Sequence, residues 1–218
     1  MAQAVLTINS RNYGAWSLRG WLLCRFAGLD FAVETVDSQD PGARAELLLL
    51  SPSFLVPRLS HGDVRVWDTL AIAEYLHEVA PERGLFPEDR ATRALCRSVS
   101  AEIHSGFANL RSSLPMNIKG HHPGFPVWAG AQADIDRIEA IWNECLAASS
   151  GPFLFGDSPT VADAMFAPVC TRIRTYDVKL GATAASYVET VLALPEMVEW
   201  MAEAAREADD VEELEMEF

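Results

Sequence analysis

The sequence predicts a mixed α/β first half followed by an all-helical second half. Two observations carry this. Up to about residue 80 strand-like alternation and helical spacing succeed one another, and thereafter every apolar segment has helical spacing. A stretch rich in proline and charge, Pro81 to Arg90, separates the two patterns. The chain is therefore divided into a first unit, 1–81, a linker, 82–90, and an all-helical unit, 91–218, that ends in an acidic tail.

Ala4 to Ile8 reads as a first strand and Asn9 to Gly14 as a polar turn. Leu18, Trp21, Leu22, Arg25 and Phe26 give Trp16 to Ala27 the spacing of a helix, and Gly28 supplies its end. Phe31 to Val36 alternates like a second strand. Asp37 to Gly42 is expected to be a loop, and Ala43 to Leu50 a short helix stopped by Ser51-Pro52. Val56 to Ser60 and Val64 to Trp67, joined through His61-Gly62-Asp63, read as a hairpin, and Thr69 to Val79 as a helix. In the second half, helices are expected over Ala91 to Leu114, Trp128 to Ser149, Thr160 to Tyr176, Ala184 to Leu192 and from Glu196 onward. Pro115 to Pro126 is a loop with three prolines and two glycines.

Composition narrows the function classes. Half of the 218 residues are hydrophobic, enough for a sizeable core. No apolar run approaches the length of a membrane-spanning helix, and Met1 to Ile8 lacks the charged start and long apolar run of a signal peptide, so a soluble cytoplasmic protein without a membrane partner is expected. Net charge is −14, of which −9 lies between Glu196 and Phe218. Such a balance repels a phosphate backbone and argues against nucleic acid. The tail itself reads as a solvated, fraying helix end. Cys24, Cys96, Cys145 and Cys170 form no C-x-x-C pair and sit in apolar helical stretches, which fits a reducing compartment with neither disulfides nor a metal site. His121-His122 has no ligand partners at metal spacing and reads as an ordinary loop pair.

Three features carry chemistry. Pro57 opens a strand that should be buried; a cis Val56–Pro57 bond there would turn the Val56 backbone outward, toward a peptide-like ligand that adds as a strand. Asp68-Thr69 stands at a strand-to-helix junction, where exposed N–H groups attract a carboxylate and Asp68 can take an ammonium, together the head group of an amino acid such as γ-glutamyl. Simple helix capping is the competing role. In the turn Asn9-Ser10-Arg11-Asn12-Tyr13-Gly14-Ala15-Trp16-Ser17, Ser17 is the hydroxyl best placed either to donate to a thiolate at a helix start or to cap the helix.

The run Leu55-Val56-Pro57-Arg58-Leu59, then Gly62, then Asp68-Thr69-Leu70-Ala71-Ile72-Ala73-Glu74-Tyr75-Leu76 resembles the glutathione-transferase signature. Thr160-Val161-Ala162-Asp163 followed by Pro168 resembles the family's helix-start motif, physically a capping-box variant. Tyr13-Gly14-Ala15-Trp16-Ser17-Leu18-Arg19 is similar to a bacterial subgroup with a Ser-Ser-Trp-Ser-Leu-Arg turn. The resemblance implies a thioredoxin-like first unit, glutathione as co-substrate and no metal. It implies that Val56 binds the cysteinyl backbone and that Asp68 and Thr69 bind the γ-glutamyl end, with Trp16, Leu55 and Pro57 completing the glutathione site. Two positions depart from it: Gly14 stands where zeta-like members carry a catalytic serine, and Trp16 where beta-like members carry a cysteine. Thiol activation is accordingly expected from Ser17 or from backbone N–H groups. Leu55 replaces a polar residue that some members use for the glycyl carboxylate.

A second-substrate site is expected between the halves. His104, Ala108 and Arg111 would share one face of a long helix, and Arg172 and Tyr176 one face of another, with Tyr13 and the loop Met116 to Gly120 nearby. Cations among apolar groups suit an acidic substrate; pairing with the protein's own carboxylates is the competing role. The main functional expectation is transfer of glutathione thiolate to a small electrophile. The alternatives are a non-catalytic binding or regulatory module and a glutathione-dependent cis–trans isomerase. The resemblance also implies a homodimer.

Overall fold

The computed structural model describes residues 4–36 and 56–207. The expected loop 37–42, the helix 43–50, Leu55 and the tail beyond Glu207 lie outside the described residues.

Four strands, β1 (Ala4–Ile8), β2 (Phe31–Thr35), β3 (Arg58–His61) and β4 (Val64–Trp67), form one sheet in the order β2-β1-β3-β4. β1 runs parallel to β2 and antiparallel to β3, and β3 and β4 are the expected hairpin, turned at Gly62 with φ +64°. Leu6, Ile8 and Leu59 are fully buried and attach the sheet to helix α1 (Ala15–Phe26), which crosses from β1 to β2. Helix α2 (Thr69–Val79) follows β4 over the range expected and buries Ile72, Ala73 and Leu76. This is the thioredoxin-like half. Helix α1 contacts it on one side and the helical half on the other, which is why nine of its residues are buried although its sequence has little amphipathic contrast.

A 3₁₀ turn, Pro81–Arg83, leads to the second half: α3 (Arg90–Ser105), α4 (Ala108–Ser113), α5 (Ala129–Ala148), α6 (Val161–Thr175), α7 (Ala182–Leu192) and α8 (Pro195–Ala204). Helix α6 is the axle of the molecule. Every residue from Val161 to Ile173 is buried, and it packs against α1, α3 and α7. Its start is the expected capping box. Asp163 Oδ2 accepts the Thr160 N–H at 2.7 Å and the Thr160 hydroxyl at 2.9 Å, while Oδ1 accepts Leu154 N–H and the Tyr187 hydroxyl. Burial pushes the Asp163 carboxyl up, against the pull of these four donors.

Two expectations need correction. Ala91 to Leu114 is not one helix. It breaks at Gly106 and Phe107, where Phe107 has φ +63°. The side chain of Arg111 folds back and donates to the carbonyls of Gly106 at 3.1 Å, His104 at 3.2 Å and Ile103, so it satisfies the end of α3 from inside α4. The C-terminal acidic run is also not simply a solvated end. Its first part is α8, with Trp200 fully buried, and Glu207 turns inward onto the Asn9–Gly14 turn.

All four cysteines are buried and unbridged. Burial pushes the Cys96 thiol up to about 12 and Cys145 to about 11, so they behave as apolar side chains, not nucleophiles.

Candidate functional site

The site lies where the C-terminal end of β1, the start of α1, the Val56–Pro57 bend and the start of α2 meet the helical layer. The Val56–Pro57 peptide is cis and both residues are buried. Pro57 abuts Gly20 of α1 so closely that a Cβ built on Gly20 would stand 2.6 Å from the Pro57 Cβ. The bend is thus seated directly on the helix that begins with Trp16.

Asp68 caps α2. It adopts φ 71°, ψ 135°, a conformation that side chains rarely take, and its Oδ1 accepts the Leu70 N–H at 2.8 Å. The other oxygen lies 3.1 Å from His104 Nε2, and His104 Nδ1 is 3.4 Å from the Thr69 hydroxyl. Partial burial pushes the Asp68 carboxyl up, but the His104 and Leu70 donors outweigh it, and the net shift is downward. Asp68 is therefore an anion at neutral pH, partly exposed, at a helix start. His104 had been placed with the second substrate. It stands between the Asp68-Thr69 pair and Trp16, whose ring it meets edge-on at 4.9 Å.

The β1–α1 turn differs most from expectation. Ser17 is neither the N-cap, which is Gly14, nor an open hydroxyl. It is completely buried, accepts the Asn9 N–H at 3.1 Å and donates to Asn9 Oδ1 at 2.6 Å. Its single proton is committed inside the protein, which removes it as the donor to a thiolate. The turn is held from outside by Glu207, whose carboxylate accepts the Ser10 hydroxyl at 2.8 Å, the Arg11 N–H at 3.0 Å and the Asn12 N–H at 2.8 Å. The buried Trp200 ring donates to the Arg11 carbonyl, and Arg11 lies over that ring at 4.8 Å. On the opposite side Asn12 Oδ1 accepts the Lys119 N–H, bringing in the loop after α4.

Above Trp16 stands a group of cations. Arg19 and Arg111 lie over its ring at 4.4 and 4.9 Å. Arg19 is 1% exposed; its Nε donates to the Met165 carbonyl, and its Nη1 has no partner among the described residues. Arg172, also buried, donates to the carbonyls of Leu114 and Pro168. Burial, then the neighbouring Arg111, push Arg172 down to about 9, and burial together with both neighbours pushes Arg19 well down. These three guanidiniums hold protein carbonyls, not the carboxylates of the competing reading. Asp68 near Arg19 and Asp134 near Arg111 offset part of their charge.

Tyr13 is buried in the turn. Tyr176 holds the carbonyl next to the one Arg172 holds: its hydroxyl donates to the Pro115 carbonyl beside Leu114, and its ring packs on His122 and Phe125. Arg19, Asn9 and Glu207 had not been singled out. Arg19 is one turn beyond Trp16, which a helical wheel shows; the other two depend on long-range packing that sequence spacing does not display.

A thioredoxin-like sheet whose Val-Pro bend and capping aspartate face a cationic helical layer is the architecture of a thiol-peptide-binding protein. The glutathione S-transferase N-terminal domain matches residues 13–79, and the glutathione S-transferase C-terminal domain matches residues 125–205. The chain belongs to the glutathione S-transferase family. It is 31% identical over 156 residues to glutathione S-transferase 1 of Dianthus caryophyllus, covering 71% of this chain and 70% of that one. It is 27% identical over 176 residues to maleylacetoacetate isomerase of Rattus norvegicus, covering 78% of each. Among solved structures, a glutathione transferase homologue from Burkholderia GL BGR1 with bound glutathione superposes with a TM-score of 0.70 at 25% identity, over 95% of this chain and 100% of that one.

Proposed function

We propose that this protein uses glutathione to isomerise an acidic, conjugated cis-alkene. The observation that supports it most is the pair Arg19 and Arg111 over Trp16, with Arg172 as their neighbour and the Nη1 of buried Arg19 unpartnered, near Asp68. Glutathione would extend along the Val56–Pro57 bend with its γ-glutamyl ammonium on Asp68 and its γ-glutamyl carboxylate at the N–H groups that open α2. A substrate carboxylate would be taken by the arginines, which sets its alkene over the thiol.

In that pose the thiolate adds to one alkene carbon, and the π electron pair moves onto the conjugated carbonyl oxygen as an enolate. The former double bond rotates, the enolate electrons return, and the C–S bond breaks. The trans product leaves and glutathione is regenerated. The name of the rat relative, maleylacetoacetate isomerase, agrees with this chemistry. A second reading keeps the same first step but makes the adduct the product: glutathione transfer to a small electrophile. It is favoured by Gly14, the position at which zeta-like members carry their serine.

The test is glutathione stoichiometry. With a maleyl-type keto-dicarboxylate, the isomerase reading expects complete cis-to-trans conversion with substoichiometric glutathione. Consumption of one glutathione per product establishes the transferase reading. Neither reaction, together with no calorimetric glutathione binding, establishes a scaffold without catalysis. Soluble expression in the cytoplasm and a C₂ homodimer belong to the same proposal; a 24 kDa species alone in sedimentation would reject the dimer.

A further inference from the structure

With Ser17 committed and Gly14 carrying no side chain, the donor to the glutathione sulfur must come from elsewhere in the turn. The geometry points to Asn9. We infer that the Asn9 side-chain amide N–H is the catalytic donor to the glutathione thiolate, an inference that rests on the glutathione reading above.

Four observations converge on it. First, the pairing of β1 with β3 ends at Thr7 and Arg58, so the end of β1, where Asn9 follows, and the cis Val56–Pro57 bend lie at the same edge of the sheet. A cysteinyl residue bonded to the Val56 backbone would bring its thiol to that edge. Second, the amide fills the place where a side chain at position 14 would start: a Cβ built on Gly14 would lie 2.3 Å from Asn9 Oδ1 and 2.1 Å from the Ser10 carbonyl oxygen. Position 14 is closed to a hydroxyl while Asn9 is there. Third, the amide is oriented. Ser17 Oγ already accepts the Asn9 backbone N–H, so its own proton goes to the side-chain oxygen across a 2.6 Å O···O contact. That fixes Oδ1 toward Ser17 and Nδ2 away from it. Fourth, Asn9 is 5% exposed, its hydrogen bonds to Ser17 use the backbone N–H and Oδ1 and leave Nδ2 uncommitted, and Nδ2 is not among the sealed polar atoms that lack a partner. An amide N–H at the surface of a buried turn is within reach of an acceptor on a ligand.

The chemistry fits. A preorganised amide N–H aimed at a developing anion, next to the unpaired N–H groups of a helix start, favours thiolate over thiol, and the thiol proton passes to water. Ser17 is then a positioning residue that acts through Asn9, which gives its burial a purpose that capping does not.

The experiment measures the pKa of the bound thiol from its ultraviolet thiolate absorbance, and ligand affinity with S-methylglutathione, whose sulfur cannot ionise. Asn9→Ala is expected to raise the bound-thiol pKa by about one unit or more, cutting the thiolate fraction at neutral pH about tenfold, while S-methylglutathione affinity changes less than about threefold. Asn9→Asp keeps the shape and the Ser17 hydrogen bond but removes the donor, and serves if the alanine variant does not fold; a rise of at least one unit is again expected. Turnover at neutral pH should fall in step, with the pH–rate profile displaced to higher pH. Ser17→Ala should raise the pKa less than Asn9→Ala. An unchanged bound-thiol pKa in a folded Asn9 variant overturns the inference, as does a larger effect from Ser17→Ala. Failure of the native protein to bind S-methylglutathione removes the glutathione reading itself and this inference with it.

Discussion

The two ends of the candidate glutathione site follow different rules. On the backbone-binding side, the Val56–Pro57 bond is cis at the bend before β3, and at the γ-glutamyl end Asp68 caps α2 through Leu70 N–H. At the thiol end, Ser17 is buried, position 14 is a glycine without a side chain, and an asparagine at the strand end takes the space. Backbone recognition depends on a bend and a helix start, which short motifs encode. Thiol activation depends on one donor atom, which several positions in a turn can supply. The first end is constrained by the main chain; the second is free to be rebuilt.

The largest expected effect breaks the γ-glutamyl end. Asp68→Ala should weaken glutathione by about 100-fold, since a charge-assisted contact to an ammonium is lost, and titration calorimetry reads this directly. An effect below about threefold would mean that ligand recognition does not depend on this end. Next, Arg172→Met should raise KM for an acidic substrate about tenfold or more while leaving glutathione affinity and KM for a neutral electrophile nearly unchanged. Equal loss for both substrates would show that the arginines only support the fold.

Stability probes the thiol end. Gly14→Ala forces a Cβ against the Ser10 carbonyl and the Asn9 amide, and should cost about 1–3 kcal/mol in denaturant unfolding. Full stability would show that the turn can yield, and that position 14 is not closed. Glu207→Gln weakens the acceptor of three donors from Ser10, Arg11 and Asn12 and should lower Tm by about 2–4 °C, roughly 1 kcal/mol. The smallest effect concerns acid. The Asp68 carboxyl sits lower in the folded protein than in the unfolded chain, so its stabilisation is present above its unfolded pKa of about 3.9 and is lost as pH falls through the folded value. His104→Ala should narrow that gap: the Tm difference from the native protein is expected to shrink as pH drops below about 4.

The fold was largely legible. The strand alternation of β1, β3 and β4, the Pro81–Arg90 break and the Thr160–Asp163 cap all report local chemistry, and each stands where periodicity or capping put it. The break inside Ala91–Leu114 was not, because the helical spacing of His104, Ala108 and Arg111 continues across Gly106; only the fold-back of Arg111 onto Ile103, His104 and Gly106 shows how the chain closes the end of α3 there. The candidate site divides in the same way. Asp68 was readable from its place before a helix. Asn9 was not, because its meaning lies in Ser17, eight residues away, and in the sheet edge it shares with the Val56–Pro57 bend. Arg172 and Tyr176, paired by helical spacing, stay neighbours and hold the adjacent carbonyls of Leu114 and Pro115, but the Tyr176 ring is covered by His122 and Phe125, which spacing along one helix does not display.

Glu207 has a consequence for how the protein is made. Its carboxylate completes a turn formed by residues 195 to 197 positions earlier in the chain. During synthesis the amino-terminal half leaves the ribosome first, yet the loop beside its thiol end acquires its last hydrogen bonds only when α8 has emerged and docked. A chain that stops short of Glu207 lacks all three of these contacts and leaves the turn after β1 without its outer acceptor.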